Sequence, residues 1–340
     1  MKLNIIGNGF DLYHGLPSSY YYFGCFLLSE NRQFYEELAD MYGFRIGINS
    51  GYPKDEITDA VEDMFWRYFE EHLGEISDLW VQETLQDDLG LENEDPIELE
   101  MYQYENADTI KNMLSLWMKR VIDRLENYHI IDQKIKEYGI KLKLKKQDYF
   151  MTFNYTHILE RIYHIPDYRI LHVHGENTEW GDCELIIGHG NDDAIHELEK
   201  VIEKFDGNDY DQFSRNRENE YKCELYNLKA LRKDVDMCMR SCNYFLNKLE
   251  QAPKEICVYG LSLGDVDIPY LKRIKQQWND VHWKFSYFSD KDKERIRDVA
   301  EGQMGLSISQ YSFFELRNEY FELIRDLIVK KQNIIEYEKI

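Results

Sequence analysis

The stretch IIGNGFDLYHGLPSSY, residues Ile5–Tyr20, decides the fold of this chain. The largely apolar run Leu3–Ile6 predicts a short buried strand. The glycines of Gly7–Gly9 end that strand and allow the backbone to come close to a ligand. Asp11 follows where a helix begins, and the amide groups and dipole of a helix N-terminus favour an anion. The stretch predicts a phosphate-binding turn or an ordinary tight turn, since Leu12 replaces the third glycine of G-x-G-x-x-G.

The same succession of apolar strand, polar turn and helix recurs along the chain. Further strands are predicted at Tyr149–Phe153, Arg169–His174, Leu185–Ile187, Ile256–Tyr259 and Trp283–Phe288. Helices are predicted at Tyr20–Met41, 55–80, Asn106–Tyr128, Asp267–Gln277 and Phe313–Lys331. Alternation of this kind predicts an α/β fold, in which helices flank a parallel sheet. Ligands of such sheets bind at the carboxyl ends of the strands.

The predicted strands fall into three separate segments of the chain. Residues 1–54, 147–192 and 253–340 therefore form one predicted core, in which the sheet lies. Residues 55–146 and 193–252 are polar and helical in pattern, and are predicted to be two helical insertions. We expect these insertions to form a large cap over the sheet.

Composition limits the classes of partner. The formal net charge is −23, from 64 acidic and 41 basic residues, which argues against a uniform basic face for duplex nucleic acid. The sequence contains neither a transmembrane segment nor a signal peptide, so we expect a cytoplasmic protein without membrane contact. The six cysteines show no C-x-x-C pair, which favours reduced thiols over a metal site.

Polar side chains stand at the ends of several predicted strands. The amide of Asn154 can hold a ribose hydroxyl or a water, or it can cap the next helix. His174 suits a general base because an unperturbed imidazole titrates near neutral pH. His172 lies on the same predicted strand face, deeper in the sheet. His189 is either a substrate contact or a residue of a glycine-rich turn.

The late turn Gly260–Gly264 has the letters of the G-x-S-x-G serine-hydrolase elbow. Neither an HGGG-type oxyanion motif nor a clear Asp-then-His order accompanies it, which makes a serine hydrolase the weaker reading. Ser262 alternatively donates a hydrogen bond to a phosphate. Asp265 and Asp267 are candidates for capping the following helix.

Several motifs taken together carry a resemblance. The stretches IIGNGFDLYHGLPSSY, FNYTHILERIY, HVHG, IIGHGN and VYGLSLGDVDIPYL resemble the AbiH family of bacteriophage abortive-infection proteins, in the same order, over about residues 3–275. The chain also resembles, more distantly, the sirtuin-like NAD-binding fold. The matching positions are Gly7, Gly9, Gly15–Pro17, Thr152–Thr156, His174-Gly175 and Gly260–Ile268.

The departures from sirtuins restrict what the resemblance implies. Asp11 replaces a serine, Thr156 replaces an aspartate and Tyr20 replaces an arginine. No four-cysteine zinc module follows His174, so a protein-lysine deacylase is not expected. The resemblance implies instead a Rossmann-like, sirtuin-like core in a defence protein that hydrolyses the nicotinamide–ribose bond of NAD, with Asn154 and His174 as catalytic residues.

The same resemblance implies which other residues contact the nucleotide. They are Gly7, Asn8, Gly9, Phe10, Asp11, Pro17, Thr152, Tyr155, His189, Gly260, Ser262 and Asp265. NAD is the expected substrate or ligand, and no metal is expected. A phage-derived trigger and a homo-oligomer are further partners that the sequence leaves open. Two alternatives stay open: a non-catalytic nucleotide-binding sensor, and a metal-dependent nuclease built on the His, Asn and Asp side chains.

Overall fold

The structure is a computed structural model that describes residues 1–44, 64–75, 96–176, 185–205, 212–249 and 251–331. The chain divides into two compact units. The first contains Met1–Ser19, Trp117–Ile186 and Asp234–Ile335. The second contains Tyr20–Leu116 and Ile187–Lys233. The division into a core with insertions at 55–146 and 193–252 stays a prediction.

One parallel sheet lies in the first unit. Its six strands, within the described residues, are β1 (Leu3–Ile6), β2 (Tyr149–Thr152), β3 (Ile170–His172), β4 (Glu255–Tyr259), β5 (His282–Tyr287) and β6 (Tyr311–Glu315). Their order is β3-β2-β1-β4-β5-β6, and every neighbouring pair is parallel. β1 is therefore the strand from which the chain builds the sheet in both directions, and Ile5 pairs with Met151 on one side and with Val258 on the other.

Helices occupy much of the remaining described chain. They are α1 (Asn8–Tyr13), α2 (Tyr20–Glu30), α3 (Arg32–Tyr42), α4 (Met64–Arg67), α5 (Phe69–His72), α6 (Pro96–Trp117), α7 (Leu125–Glu137), α8 (Ile158–Arg161), α9 (Asp192–Ile202), α10 (Gln212–Ala230), α11 (Val235–Asn247), α12 (Ile268–Gln277), α13 (Asp290–Asp298) and α14 (Phe321–Lys331). Short π-helical turns follow α6 at Met118–Ile122 and α13 at Val299–Gln303. No described helix has the length and apolarity needed to cross a membrane.

The parallel α/β architecture is confirmed, and two predicted elements are wrong. Residues Leu185–Ile187 form no strand: Ile186 N donates to His174 O, and the run pairs with no strand among the described residues. The predicted helix Phe313–Lys331 begins only at Phe321. Its first residues belong to β6, because the aromatic run Tyr311–Glu315 pairs along its whole length with β5.

Three predicted helices have other bounds in the structure. The helix predicted over Asn106–Tyr128 begins at Pro96 and ends at Trp117 as α6, a π-helical turn follows it, and Tyr128 lies in α7. The helix predicted over Tyr20–Met41 is two helices, because Asn31 caps α3 by accepting a hydrogen bond from the Phe34 amide. The helix predicted over 55–80 lies outside the described residues except for 64–75, which contain α4 and α5.

The core of the first unit forms around the sheet. Strand residues Leu3, Ile5, Ile256, Val258 and Phe285 are almost completely buried and belong to one hydrophobic cluster with residues of α11 and α12. All four residues of β1 and the three central residues of β4 are buried, as is typical of a parallel sheet covered on both faces. The sheet is thus a rigid base for the turns at the carboxyl ends of its strands.

The second unit has an aromatic core of its own. The ring of Trp66 stacks on Tyr35 at 5.8 Å and on Phe69 at 5.1 Å. Lys233 is almost completely buried and pairs with Glu70, with Nζ 2.6 Å from Oε2. Burying this ammonium without its carboxylate would be costly, so the pair binds the end of α10 to α5 within this unit.

Candidate functional site

The candidate site lies at the carboxyl ends of the strands in the first unit. The order of the sheet reverses between β1 and β4, since the connections from β1 lead first to β2 and β3 and then to the other side. The crevice at such a reversal is the usual ligand position in open parallel sheets. The segments that follow β1, β2, β3 and β4, with helix α1 among them, carry most of the predicted site residues.

The glycines after β1 and β4 allow two turns to come into contact. The amide of Gly7 donates to Tyr259 O at 2.9 Å, and the amide of Gly9 donates to Gly260 O at 2.8 Å. Phe10 N donates to Gly7 O at 2.9 Å. Three amides of the predicted phosphate-binding turn therefore have protein acceptors in this conformation. The glycines serve the close approach of two backbones, and their contact with a ligand stays a prediction.

Gly9→Ala tests this close approach. A Cβ at Gly9 would lie 2.7 Å from the Cα of Gly260 and 2.9 Å from its carbonyl oxygen, so the two turns would have to separate. We expect a loss of about 1–3 kcal/mol in the free energy of unfolding, measured with urea. Gly302→Ala is the matched control, because no atom lies within 4 Å of its new Cβ. It should leave stability unchanged or raise it by up to about 1 kcal/mol; equal losses in both variants would contradict the assignment.

Asp11, in the helix α1 that follows β1, joins this helix to the turn after β2. Its carboxylate is almost completely buried and accepts two hydrogen bonds, from Asn154 Nδ2 at 2.8 Å and from Thr156 Oγ1 at 2.7 Å. Asn154 Nδ2 also donates to Gly7 O at 3.1 Å. The amide oxygen of Asn154 makes no hydrogen bond within the described part of the chain. It is therefore the group that can accept from a ligand.

The environment of Asp11 makes it a titratable group near neutral pH. Burial raises the pKa of its carboxyl from 3.8 to about 7, and the hydrogen bonds from Thr156 and Asn154 oppose that rise only in part. Carboxyls with such strongly raised pKa values are frequent at functional sites, although structural networks also contain them.

Beside this group lies a cluster of two histidines and three carboxylates, the His157–His172 cluster. His157 Nδ1 lies 2.8 Å from Asp123 Oδ2, and its Nε2 lies 3.2 Å from Glu176 Oε2. His172 Nε2 lies 2.9 Å from Glu160 Oε1. Burial lowers the pKa of His157, but the bonds to Asp123 and Glu176 outweigh it and raise the value to about 10. The cluster is thus strongly charged.

The two histidines around β3 have different neighbours. His172 ends β3, and its Nδ1 lies 3.2 Å from the carbonyl oxygen of Asn154. The His174 ring is buried against Phe153 at 5.2 Å and against Tyr270 at 6.1 Å. The expectation of a shared strand face is wrong, because the backbone turns at Val173 and the alternation of side chains ends with the strand.

Other predicted residues near β1 and β2 are occupied by local contacts. Asn8 is exposed and exchanges hydrogen bonds with Ser18, while Phe10 and Pro17 are buried. Thr152 Oγ1 accepts a hydrogen bond from the backbone N–H of Asn154 at 3.1 Å, and the Tyr155 hydroxyl donates to Ile186 O at 3.0 Å. Thr152 thereby helps to fix the backbone at Asn154. The nucleotide contacts of Asn8, Phe10, Pro17, Thr152 and Tyr155 stay predictions.

The turn after β4 differs from a hydrolase elbow. Ser262 is exposed and its carbonyl accepts from Arg295, while the positive φ angles fall on Gly260 and Leu263. A nucleophile elbow places the strained backbone at the serine itself. Asp265 is exposed. Asp267 occupies the predicted N-cap position of α12, but its side chain makes no capping hydrogen bond there.

His189 belongs to the second unit. Its Nε2 donates to Leu228 O at 2.8 Å, and its Nδ1 accepts from the Asn191 amide at 3.1 Å. Both ring nitrogens therefore have backbone partners in that unit, which favours the turn-forming role. Its contact with a ligand stays a prediction.

Sequence reasoning did not single out four residues of the His157–His172 cluster. They are Asp123, His157, Glu160 and Glu176. One signal was present, since His157 directly follows the turn Asn154–Thr156 and Glu176 directly follows His174-Gly175. Asp123 gave no signal, because only the packing of the chain after α6 brings it to His157.

The fold and the site define a parallel α/β protein with a buried polar group at the carboxyl ends of β1, β2 and β3. A family profile described as Bacteriophage abortive infection AbiH matches residues 3–287. The chain belongs to the AbiH family, and this membership implies a role in bacteriophage abortive infection. Neither a curated protein nor a solved structure matches the chain significantly.

Proposed function

We propose that this AbiH-family protein acts in abortive infection by hydrolysing the nicotinamide–ribose bond of NAD at the carboxyl ends of β1–β3. The observation that carries the proposal is the hydrogen bond between Asp11 and Asn154, which joins helix α1 to the turn after β2 from positions 143 residues apart. The strand order supports it, because β3-β2-β1-β4-β5-β6 is the order of Rossmann-like dinucleotide-binding sheets.

Asn154 is the proposed positioning group for the nicotinamide ribose. Its amide nitrogen is held by Asp11 and by Gly7 O, so the rotamer is fixed and the amide oxygen has a defined direction. That oxygen accepts a hydrogen bond from a ribose hydroxyl or from the attacking water. Fixing one reacting group in this way supplies the orientation on which the breaking of a glycosidic bond depends.

His174 is the proposed general base. The bond between C1′ of the ribose and the nicotinamide nitrogen breaks through an oxocarbenium-like state, and neutral nicotinamide leaves with the bonding electron pair. Water adds to C1′, and His174 accepts the proton that the water loses. The diphosphate of NAD needs other hydrogen-bond donors than the amides of Gly7, Gly9 and Phe10, because these three amides donate to protein carbonyls.

A nucleotide sensor without turnover is the second candidate function. The burial of the His174 ring supports it, since a general base must reach the attacking water, whereas binding alone does not require this ring. A phage-derived trigger that opens this region would reconcile the burial with catalysis. The trigger and a homo-oligomeric state remain predictions.

The proposal is tested in two assays, one on the purified protein and one in phage-infected cells. The protein is incubated with NAD, ADP-ribose or nucleic acid, with and without a divalent metal, and nicotinamide release, binding and strand cutting are measured. NAD is also measured in phage-infected cells that carry the gene, so that a trigger is present. Nicotinamide release or NAD depletion supports hydrolysis, binding without turnover supports the sensor, and metal-dependent cutting supports a nuclease. Constant NAD in both settings would refute the proposal.

A further inference from the structure

Three side chains of the His157–His172 cluster direct potential metal-ligand atoms to one point. His157 Nε2 lies 3.2 Å from Glu176 Oε2, and His172 Nε2 lies 3.6 Å from the same oxygen. One ligand atom from each of the three residues lies within 4.8 Å of the other two. Two imidazole nitrogens and one carboxylate oxygen therefore surround a space of atomic size.

The separations match those in a known coordination geometry. Zinc bonds to imidazole nitrogen and carboxylate oxygen are about 2.0–2.2 Å long and tetrahedral, which places neighbouring ligand atoms about 3.3–3.5 Å apart. The two distances to Glu176 Oε2, 3.2 and 3.6 Å, bracket this value. Side-chain movements of a few tenths of an ångström, together with release to water of the proton between His157 Nε2 and Glu176, would complete these two edges of the tetrahedron.

The far nitrogen of each imidazole is already oriented. His157 Nδ1 contacts Asp123 Oδ2 at 2.8 Å, and Asp123 in turn accepts a hydrogen bond from Tyr128. His172 Nδ1 contacts the carbonyl oxygen of Asn154 at 3.2 Å. Metal-binding histidines usually donate their other N–H to a carboxylate or a backbone carbonyl in this way. Both rings therefore have the support of metal ligands, which an ordinary surface ion pair does not require.

We propose that His157, His172 and Glu176 bind a first-row transition-metal ion, for which Zn²⁺ is the probe. Nitrogen ligands favour such ions over Mg²⁺ and Ca²⁺, which prefer oxygen. Three protein ligands leave a fourth position for water or substrate, the donor number of catalytic zinc sites. The site departs from the expectation of no metal. It does not rest on NAD hydrolysis, since the ligand geometry is independent of that reaction.

The three proposed ligands differ in solvent exposure, and this difference gives an ion a path into the site. The Glu176 side chain is 48% exposed, whereas the His157 side chain is 18% and the His172 side chain 9% exposed. An ion can therefore meet the carboxylate first and the more buried imidazole last. Binding at Nε2 of His172 would replace the present contact of that atom with Glu160.

The test measures Zn²⁺ binding by the full chain, prepared without a histidine tag, by titration calorimetry and by metal analysis after dialysis. We expect one Zn²⁺ per chain and little response to Mg²⁺. His157→Gln and His172→Gln should each weaken binding more than 100-fold, and Asp123→Asn should weaken it about 10–100-fold through the orientation of His157. His129→Gln, which changes an exposed histidine of α7, is the matched control and should bind as the wild type does.

A second measurement needs no variant. Co²⁺ bound by the wild-type chain should show the intense visible absorption of a tetrahedral site, and Zn²⁺ should abolish it. Absence of stoichiometric Zn²⁺ binding, equal affinity in the His157, His172 and His129 variants, or a Co²⁺ spectrum of the octahedral type would each overturn the proposal. A variant that fails to fold leaves the decision to the Co²⁺ spectrum. Because the readout is binding, failure of the metal site and failure of NAD hydrolysis can be told apart.

Discussion

His174→Gln is expected to lower the rate of nicotinamide release by about 10²–10⁴-fold, the usual contribution of a general base. Glutamine keeps most of the volume between the rings of Phe153 and Tyr270, which alanine would leave as a cavity. It has no group that accepts a proton near neutral pH. The loss should therefore fall on kcat, with a smaller change in KM for NAD, measured by the initial rate of nicotinamide formation.

Two controls separate catalysis from folding. His129→Gln makes the same chemical change at an exposed position of α7 and should retain the wild-type rate. Thermal unfolding of His174→Gln should resemble that of the wild type closely enough for both to be folded at the assay temperature. A His174→Gln protein that is folded and releases nicotinamide at the wild-type rate would remove His174 from the mechanism.

The sequence predicts that distant segments of the chain meet at the site, because the topology of a parallel sheet brings the ends of its strands together. Apolar runs bounded by turn residues predict parallel strands, and parallel strands end at one edge of a sheet. Asp11 and Asn154 therefore meet, although 143 residues separate them. What the sequence could not provide is the direction of each side chain beyond the last strand residue, which is why His172 and His174 have different neighbours.

Other features depended on packing that no local pattern encodes. The three apolar residues Leu185–Ile187 look like a strand, but a strand needs a neighbour with free backbone groups along its length. Tyr311–Glu315 finds such a neighbour in β5 and becomes β6. The glycines of the first turn predict space for a ligand, and that contact stays a prediction; the structure shows that Gly9 and Gly260 provide space for each other. Sequence identifies the need for a small residue but not the neighbour that requires it.

Asp11→Asn is expected to make the free energy of unfolding fall less steeply as the pH rises. Burial raises the pKa of Asp11 to about 7 in the folded protein, from 3.8 when exposed. The unfolded chain therefore loses this proton at lower pH than the folded chain does. The contribution of Asp11 to stability is complete below pH 3.8, falls as the pH rises, and is lost above about pH 7. The difference between the two pKa values corresponds to about 4 kcal/mol.

Asparagine has no proton to lose in this range, and its oxygen can still accept from Asn154 Nδ2. The free energy of unfolding, measured with urea from pH 4 to pH 8, should therefore fall more steeply in the wild type than in Asp11→Asn. We expect the stability of the variant relative to the wild type to rise by as much as about 4 kcal/mol across this range. Asp265→Asn controls for the removal of one carboxylate, because this side chain is exposed. Parallel pH profiles for the wild type and Asp11→Asn would mean that Asp11 is ionised throughout, with its charge stabilised by Asn154 and Thr156 despite its burial.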